Sequence, residues 1–256
     1  MTTIDNDENR QQTRRSGVQS VDRAFAVLDV LGHSSEPLTV QEVAKRGGLD
    51  RTVAHRLLKT LKCHNAVVES NGSYRLGPQT VLMATRYTES LLVRRLALPY
   101  MLDLQMRELV DSPITVNLSI AVGDVSAVVE RIWTPTAPLD LVISSGDLFP
   151  LERTATGRSI LAVLDESEVD AAIGTDRHAS VKEILAETKA NDGVAISRSE
   201  AIPGVVGLAA AIVAPGGKPV AAIGISCPEP QSILAPDSDI AAKLARNVRA
   251  IGRMLP

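Results

Sequence analysis

Hydrophobic residues in the N-terminal part of the chain recur at intervals of three and four, the spacing that places them on one face of a helix. The first such segment is SVDRAFAVLDVLG, in which Ser20 is the expected N-cap and Gly32 the expected stop. This pattern predicts an amphipathic helix. Its expected apolar face consists of Val21, Ala24, Phe25, Leu28 and Leu31.

Two further helices are predicted on either side of a pair of glycines. Thr39 and Glu42 have the spacing of a capping box, and Gly47-Gly48 ends the short helix that they begin. The next helix begins after Asp50, a favourable N-cap, and runs through RTVAHRLLKTLKCH. Its apolar stripe is expected at Val53, Leu57, Leu58 and Leu61.

The segment VVESNGSYRLG predicts a β-hairpin. Asn71-Gly72 favours a tight type I′ turn, because both central residues of that turn need a positive φ. Helix, short helix, turn, helix and hairpin in this order predict a winged helix-turn-helix domain over residues 17–77.

Helical spacing continues over residues 78–109, where we expect Pro99 to break the helix into two pieces. Residues 78–92 are expected to be a linker helix between two domains. A long connecting helix of this kind is a natural dimer contact.

From Ile114 onward the hydrophobic period changes to two. TVNLSIAV alternates apolar and polar residues, and Gly123-Asp124 turns the chain into VSAVVERI, which predicts a hairpin with one buried face. LDLVI, VAIS, VVGLAAAIV and PVAAIGIS predict further strands, whereas TGRSILAVL, SVKEILAETKA and the C-terminal segment predict helices. This mixture predicts a second, α+β domain over residues 93–256. The apolar face of the last helix is expected at Ile240, Leu244, Val248, Ile251 and Leu255.

The charge distribution separates the two predicted domains. The formal net charge is −3, but residues 1–77 hold eleven Lys/Arg against nine Asp/Glu, and residues 78–256 hold sixteen against twenty-one. Residues 40–64 alone carry a balance of +4. A small basic module on an acidic body is typical of a protein that contacts nucleic acid with one part only. Aromatic residues make up only 2%, which argues against a single-strand binder that stacks bases.

Cysteine, motif and terminal features indicate a cytoplasmic protein that is not an enzyme. Cys63 and Cys227 show no CxxC pairing, and we interpret both as buried free thiols in a reducing compartment. Residues 1–16 are polar, lack the apolar centre of a signal peptide and predict a disordered tail. Nucleotide-binding and nucleophile-elbow motifs are absent, the histidines lack metal-ligand spacing, and no cofactor or metal is expected. Cys227 as a nucleophile is the remaining catalytic alternative, although no base lies near it in sequence.

The helix after Asp50 has the features of a DNA recognition helix. With its apolar stripe on the core, its basic and polar residues lie on the opposite surface, where they meet base edges and phosphates of double-stranded DNA. In the hairpin, Asn71 and Arg75 are expected to reach an adjacent phosphate or the minor groove. An ordinary solvated basic helix, or a winged helix used for protein contacts, is the alternative. The expected helix contacts are Arg51, Thr52, His55, Arg56 and Lys59.

The segments SVDRAFAVLDVL, LTVQEVAKRGGLDRTVAHRLLKTL and GSYRLGP resemble the IclR family of bacterial regulators. The second domain contains two segments that are similar to the same family, SGDLFPLERTATGRSILA and DGVAISRSEAIPGVVGLAAAIVAPGGKPVAAIGISCP. The resemblance therefore spans about residues 18–255. His55 and Arg56 match the family's common His-Arg pair. Thr52-Val53 departs from its usual Ser-Thr pair, which puts a DNA contact at Val53 in doubt.

The resemblance implies a GAF-like effector-binding domain for a small, often acidic, metabolite. Independently, the residues Thr154 to Gly157 precede a predicted helix, whose free N–H groups favour a carboxylate. Gly207 and Gly224 fall where relatives can carry polar or sulfur side chains, which predicts a roomier pocket, although each glycine can equally mark a turn or a tight strand crossing. The family's pocket carried over by position consists of Leu141, Ala155, Thr156, Gly157, Ser197, Val205, Gly207, Gly224 and Ser226.

Together these features predict an α+β protein with a winged helix-turn-helix, a connecting helix and a GAF-like domain. The expected function is that of a ligand-responsive bacterial transcriptional regulator, a repressor rather than an activator. We expect a homodimer or a dimer of dimers on a near-palindromic operator, with a small carboxylic acid as effector and no membrane association.

Overall fold

The computed structural model of the chain describes residues 17–109, 111–138, 145–229 and 234–256, and for residues 107 and 108 the backbone alone. The expected tail and the expected strand LDLVI, with Leu141, lie outside the described residues. The chain divides into two compact units, residues 1–87 and 88–256.

The N-terminal unit has the predicted winged helix-turn-helix fold, so this prediction is confirmed. Its strands form a three-stranded antiparallel sheet in the order β1-β3-β2. Its elements are α1 (Gln19–Gly32), β1 (Leu38–Thr39), α2 (Val40–Arg46), α3 (Arg51–Cys63), β2 (Val67–Ser70), β3 (Ser73–Leu76) and the first part of α4 (Pro78–Ser90).

Local sequence signals set the ends of α2 and the hairpin turn. The Thr39–Glu42 capping box forms: the Thr39 N–H donates to the Glu42 carboxylate at 2.8 Å, and the Glu42 N–H donates to Thr39 Oγ1. In the β2–β3 turn, Asn71 and Gly72 have φ values of 52° and 76°, as a type I′ turn requires. Both predictions are therefore confirmed.

Helix α1 differs from its prediction in its start and in its buried face. It begins at Gln19 after Val18, which makes no side-chain cap, so Ser20 is not the N-cap. Val27 and Leu31 are buried, whereas Val21 and Phe25 are 49% and 63% exposed. The apolar residues of α1 form two neighbouring stripes, and only the stripe that meets α3 and β3 enters the core.

The predicted helix break at Pro99 is wrong. The chain leaves helical geometry at Leu91, which is extended with φ −75° and ψ 96°, and Pro99 lies inside α5 (Leu92–Asp103). A proline here removes one backbone hydrogen bond. The helix continues because Ala97 and Met101, on either side of the proline, are fully buried against the sheet. A π-helical turn, Leu104–Glu108, follows α5.

The C-terminal unit is built on one six-stranded antiparallel sheet in the order β6-β5-β4-β9-β8-β7. The predicted α+β fold is confirmed, with the helix α7 as an element that the sequence reasoning missed. The elements are β4 (Thr115–Val122), β5 (Val125–Trp133), β6 (Leu148–Pro150), a 3₁₀ turn (Leu151–Arg153), α6 (Ala155–Leu161), α7 (Glu166–Ile173), α8 (Thr175–Ala190), β7 (Val194–Arg198), β8 (Val205–Val213), β9 (Pro219–Pro228) and α9 (Asp239–Gly252).

Helices cover the sheet on both faces. One face forms the main hydrophobic core with α5 and α9, and Leu118, Leu208 and Ile225 are fully buried there. The other face meets α6, behind which α7 and α8 enclose a smaller core around Leu161 and Leu185.

Strand β4 is therefore buried on both faces, and the expected half-exposed hairpin is wrong. Its polar residues Thr115, Asn117 and Ser119 are each no more than 3% exposed, because the α6 side of the sheet is covered as well. A polar strand face that is enclosed by helices needs hydrogen-bond partners or a ligand.

The expectation of two buried thiols is wrong for one of them. Cys227 is buried, but Cys63, at the end of α3, is exposed.

Candidate DNA interface and effector pocket

The start of α3 is fixed by Asp50. Its carboxylate accepts hydrogen bonds from the N–H groups of Thr52 at 2.7 Å and Val53 at 3.4 Å. These hydrogen bonds, the Thr52 N–H first among them, hold the pKa of the Asp50 carboxyl below its usual value. The first two residues after this cap, Arg51 and Thr52, are exposed to solvent.

The polar side of α3 is exposed over its whole length, and the buried side is narrower than expected. Ala54 and Leu58 are fully buried, while Leu57 and Leu61 are partly buried at the edge of the core. All helix residues expected to contact DNA are exposed: Arg51, Thr52, His55, Arg56 and Lys59.

An ion pair joins the C-terminal part of α3 to the hairpin. Lys62 Nζ lies 2.7 Å from Glu69 Oε2, and this hydrogen bond lowers the pKa of Glu69 and raises the pKa of Lys62. Lys62 contributes to the positive charge of the sequence segment, but its charge is balanced locally. The pair also links β2 to α3, which helps to set the position of the hairpin beside the helix.

The β2–β3 hairpin carries the other two expected DNA contacts. Asn71 lies at its tip and Arg75 on β3, and both are exposed. Between them Tyr74 is 6% exposed and pairs with Leu38 of β1, which ties the hairpin to the core. The N-terminal unit thus presents a basic helix and a polar hairpin tip to solvent.

A pocket of about 470 Å³, including its open mouth, lies between the sheet and the start of α6. Its floor is formed by β4, β9, β8 and β7, and its walls by the start of α6 and by the loop after β7. The described lining residues are Asn117, Ser119, Val128, Phe149, Thr154, Ala155, Thr156, Ser197, Ala201, Ile202, Val205, Gly207, Leu208, Gly224, Ile225 and Ser226.

The structure brings most of the expected effector-binding residues together at this pocket. Gly157 is the exception among the described ones: a Cβ there would overlap the backbone carbonyl of Leu151, so this glycine serves close packing rather than the lining. Leu141 lies outside the described residues. The expected residues that do line the pocket are Ala155, Thr156, Ser197, Val205, Gly207, Gly224 and Ser226.

Asn117 and Ser119 were not expected in the pocket. The signal was present in the alternation of β4, but its polar face was assigned to solvent. Cross-strand pairing places Asn117 opposite Gly224, and Ser119 opposite Ala222, on the floor beneath α6.

Threonines at the start of α6 hold the pocket wall in place. Thr154 Oγ1 accepts the N–H of Gly157 at 3.0 Å, and Thr156 Oγ1 donates to Thr154 Oγ1 at 3.3 Å. Thr156 Oγ1 also lies 3.0 Å from Ser126 Oγ on β5. Both threonine hydroxyls therefore have hydrogen-bond partners within the protein.

A buried arginine fixes the loop that closes one side of the pocket. Arg158, 5% exposed, donates to the carbonyl oxygens of Glu152 at 2.7 Å and Ile196 at 2.9 Å and lies 3.1 Å from the Glu200 carboxylate. Glu200 precedes Ala201 and Ile202, which line the pocket. Arg158 therefore acts on the pocket through this loop, and among the described lining residues none is ionisable.

The cysteine considered as a possible nucleophile does not line the pocket. Cys227 is 3% exposed within the main core, on the sheet face opposite the pocket. In the described ranges no group of three or more His, Cys, Asp or Glu lies close enough to hold a metal ion.

None of the described helices has the length and apolarity needed to cross a membrane.

The N-terminal unit is a winged helix-turn-helix with an exposed basic helix, and the C-terminal unit is a helix-covered sheet with a pocket. This combination defines the class of DNA-binding regulators that also bind a ligand. Residues 20–69 match the IclR helix-turn-helix domain, and residues 85–253 match the bacterial transcriptional regulator IclR C-terminal domain. The chain belongs to the IclR family of transcriptional regulators.

Relatives across bacteria share this architecture. The chain is 33% identical to the HTH-type transcriptional regulator Rv1719 of Mycobacterium tuberculosis, over 86% of this chain and 85% of that protein. It is 26% identical to the transcriptional repressor IclR of Escherichia coli, over 82% and 80% of the two chains. The crystal structure of a putative transcriptional regulator from Rhodococcus sp. RHA1 superposes with a TM-score of 0.73 at 27% identity, covering 92% of this chain and 97% of that one.

Proposed function

We propose that this regulator is a repressor that binds a near-palindromic operator through α3 and the β2–β3 hairpin, in the bacterial cytoplasm. The observation that carries the proposal is the exposed basic face of α3, capped at Asp50 and flanked by the hairpin. Residues near the start of such a helix read base edges in the major groove, and Arg and Lys hold the phosphates. Repression is supported by the relative in Escherichia coli, which is named a transcriptional repressor.

The proposed base and phosphate contacts follow the position of each side chain. Arg51, Thr52 and His55, in the first half of α3, face the base edges, and Arg56 and Lys59 contact phosphates. Asn71 and Arg75 contact the backbone or the minor groove from the hairpin. The proposed operator contacts are Arg51, Thr52, His55, Arg56, Lys59, Asn71 and Arg75.

We propose that the pocket beneath α6 binds the effector, a small carboxylic acid. Hydroxyl and amide groups line the pocket, and no described acidic side chain is there to repel an anion. Ala155 and Thr156, at the start of α6, line the pocket together with Gly207 and Gly224. In this proposal their backbone N–H groups at the helix start favour the carboxylate.

Homodimerisation follows from the proposed operator symmetry and from apolar side chains at the surface. Val21 and Phe25 on α1 are exposed, as are Val81, Leu82 and Met83 on α4. In this proposal they meet a second copy, as a dimer or a dimer of dimers. The effector changes operator affinity through residues 78–99, which requires it to bind the free and DNA-bound forms with different affinity.

A gel-shift assay on the DNA upstream of the chain's own gene tests the proposal. The full chain should retard this DNA at physiological salt, and a panel of small carboxylic acids should contain one that releases it. Retardation that every tested compound leaves unchanged would contradict the effector proposal, and no retardation would contradict the operator proposal.

A further inference from the structure

Three polar side chains of the pocket have unused hydrogen-bonding capacity. Asn117 is 3% exposed, and Ser197 and Ser226 are each 8% exposed. Within the described part of the chain, Asn117 Nδ2 and the two serine hydroxyls have no hydrogen-bond partner. Among the described residues, Asn247 Nδ2 is the one fully enclosed polar side-chain atom that has no hydrogen-bond partner. The atoms of Asn117, Ser197 and Ser226 that have no partner are therefore not fully enclosed in the core. Their free bonding capacity is therefore directed into the pocket.

The orientation of the Asn117 amide is set by its neighbour on the same strand. Ser119 Oγ donates to Asn117 Oδ1 at 3.2 Å, which leaves Nδ2 as the end of the amide without a hydrogen-bond partner among the described residues. The amide lies directly over Gly224: a Cβ there would come within 2.9 Å of Oδ1 and 3.1 Å of Nδ2. The Thr156 methyl group would lie 2.7 Å from the same Cβ, so Gly224 allows Asn117 and Thr156 to pack against the β9 backbone at the pocket.

The two serines flank the second glycine of the floor. Strand pairing places Ser197 and Ser226 on either side of Gly207. A Cβ at Gly207 would lie 2.8 Å from Ser197 Oγ and 3.9 Å from Ser226 Oγ, so both hydroxyls lie close to the Gly207 backbone. Gly224 and Ser226 are two residues apart on β9, which puts all three polar groups on one face of the sheet.

We propose that Asn117 selects the effector by donating from Nδ2 to one of its oxygen atoms, while Ser197 and Ser226 bind a second oxygen function. This inference rests on the proposed function of the pocket as the effector site. The ligand class that matches the set is a short hydroxylated carboxylic acid, because its hydroxyl group can both accept from these donors and donate to a serine oxygen, whereas a plain alkyl carboxylate can only accept. A site built to hydrogen-bond a hydroxyl group discriminates strongly against the analogue that lacks it.

Calorimetric titration of the full chain with glycerate and butyrate tests the inference. The two acids are close in size and differ in their hydroxyl groups. Wild-type protein should bind glycerate at least about tenfold more tightly than butyrate. Asn117→Leu and the isosteric Asn117→Asp should each reduce that preference to about twofold or less by weakening glycerate binding. Ser159→Ala is the matched control, since Ser159 is buried in α6 with its hydroxyl donating to the Thr156 carbonyl.

Three results would overturn the inference: equal affinities in the wild type, no binding of either acid, or a glycerate preference that both Asn117 variants retain. Operator binding by the same samples separates this failure from failure of the proposed function. If the protein retards its DNA and another compound releases it while glycerate does not bind, the effector proposal stands and the role of Asn117 does not.

Discussion

Asp50 links the local chemistry of one residue to the placement of the whole recognition helix. Its carboxylate satisfies two N–H groups that the first turn of α3 would otherwise leave without partners. The same geometry orients Arg51 and Thr52 outward. A defect at this residue should therefore affect stability and DNA binding together.

Asp50→Ala should lower the midpoint of thermal unfolding at neutral pH, and the difference from wild type should shrink in acid. The pKa of Asp50 is lowered in the folded chain. The charged cap therefore contributes fully to the stability of the fold at pH values above the ordinary Asp pKa of about 3.9. This contribution is lost as the pH falls through the lower pKa of the folded chain. Thermal unfolding between neutral pH and pH about 3 checks this. Glu36→Ala, at an exposed loop position, is the control; a difference that grows in acid would contradict the account.

Asn117 shows, also at the residue scale, how a side chain that lines the pocket is missed by a sequence pattern. Its alternation with Val116 and Leu118 predicts a polar strand face correctly. Whether that face meets water or a pocket depends on α6, which is far away in sequence and packs on β4 only in the folded chain.

At the scale of elements, the sequence predicted most helices and strands because their signals are local. The capping box at Thr39, the cap at Asp50 and the Asn71-Gly72 turn each act within a few residues. The errors at Pro99 and Phe25 arose where tertiary packing decides. A proline stays inside α5 because its neighbours are buried, and an apolar residue of α1 stays exposed because another stripe fills the core.

The pocket contains residues that the sequence predicts and residues whose roles depend on tertiary contacts. Ala155, Gly207 and Ser226 follow from position in a recognised family. The role of Gly157 was assigned wrongly to the lining, because a close approach to the backbone of Leu151 cannot be read from sequence.

Helix α6 should depend on Gly157 for its contact with the 3₁₀ turn. Gly157→Ala places a Cβ against the Leu151 backbone, which cannot move aside as a flexible side chain would. We expect a loss of about 3 kcal/mol in the free energy of unfolding, measured by urea denaturation. Gly216→Ala, where a Cβ would meet nothing within 4 Å, should change stability by no more than about 0.5 kcal/mol. Equal effects at both glycines would contradict this account of α6.

At the scale of the whole molecule, the N-terminal unit supplies the proposed DNA contacts and the C-terminal unit supplies the pocket. The formal charge agrees with this division, since the positive balance is confined to residues 1–77.

The proposed dimer predicts an effect of exposed apolar residues on assembly. Replacing Phe25 and Met83 together by serine should raise the dimer dissociation constant by about tenfold or more, because each side chain would lose apolar contact area. Sedimentation equilibrium measures this constant, and Glu36→Ser provides a polar surface control. An unchanged constant, or a wild-type protein that is monomeric, would contradict the proposed interface.

The central claim is that α3 binds DNA, and the salt dependence of operator binding tests it most directly. Fluorescence anisotropy of labelled upstream DNA with the full chain should show log K falling linearly with log salt, because bound phosphates release counterions. Arg56→Ala should weaken DNA binding, reduce the magnitude of the slope by about one per subunit and leave effector binding intact. The control is Arg253→Ala, at an exposed arginine of the C-terminal unit, which should leave the slope unchanged. A slope that Arg56→Ala does not alter would contradict the phosphate contact and the proposed interface.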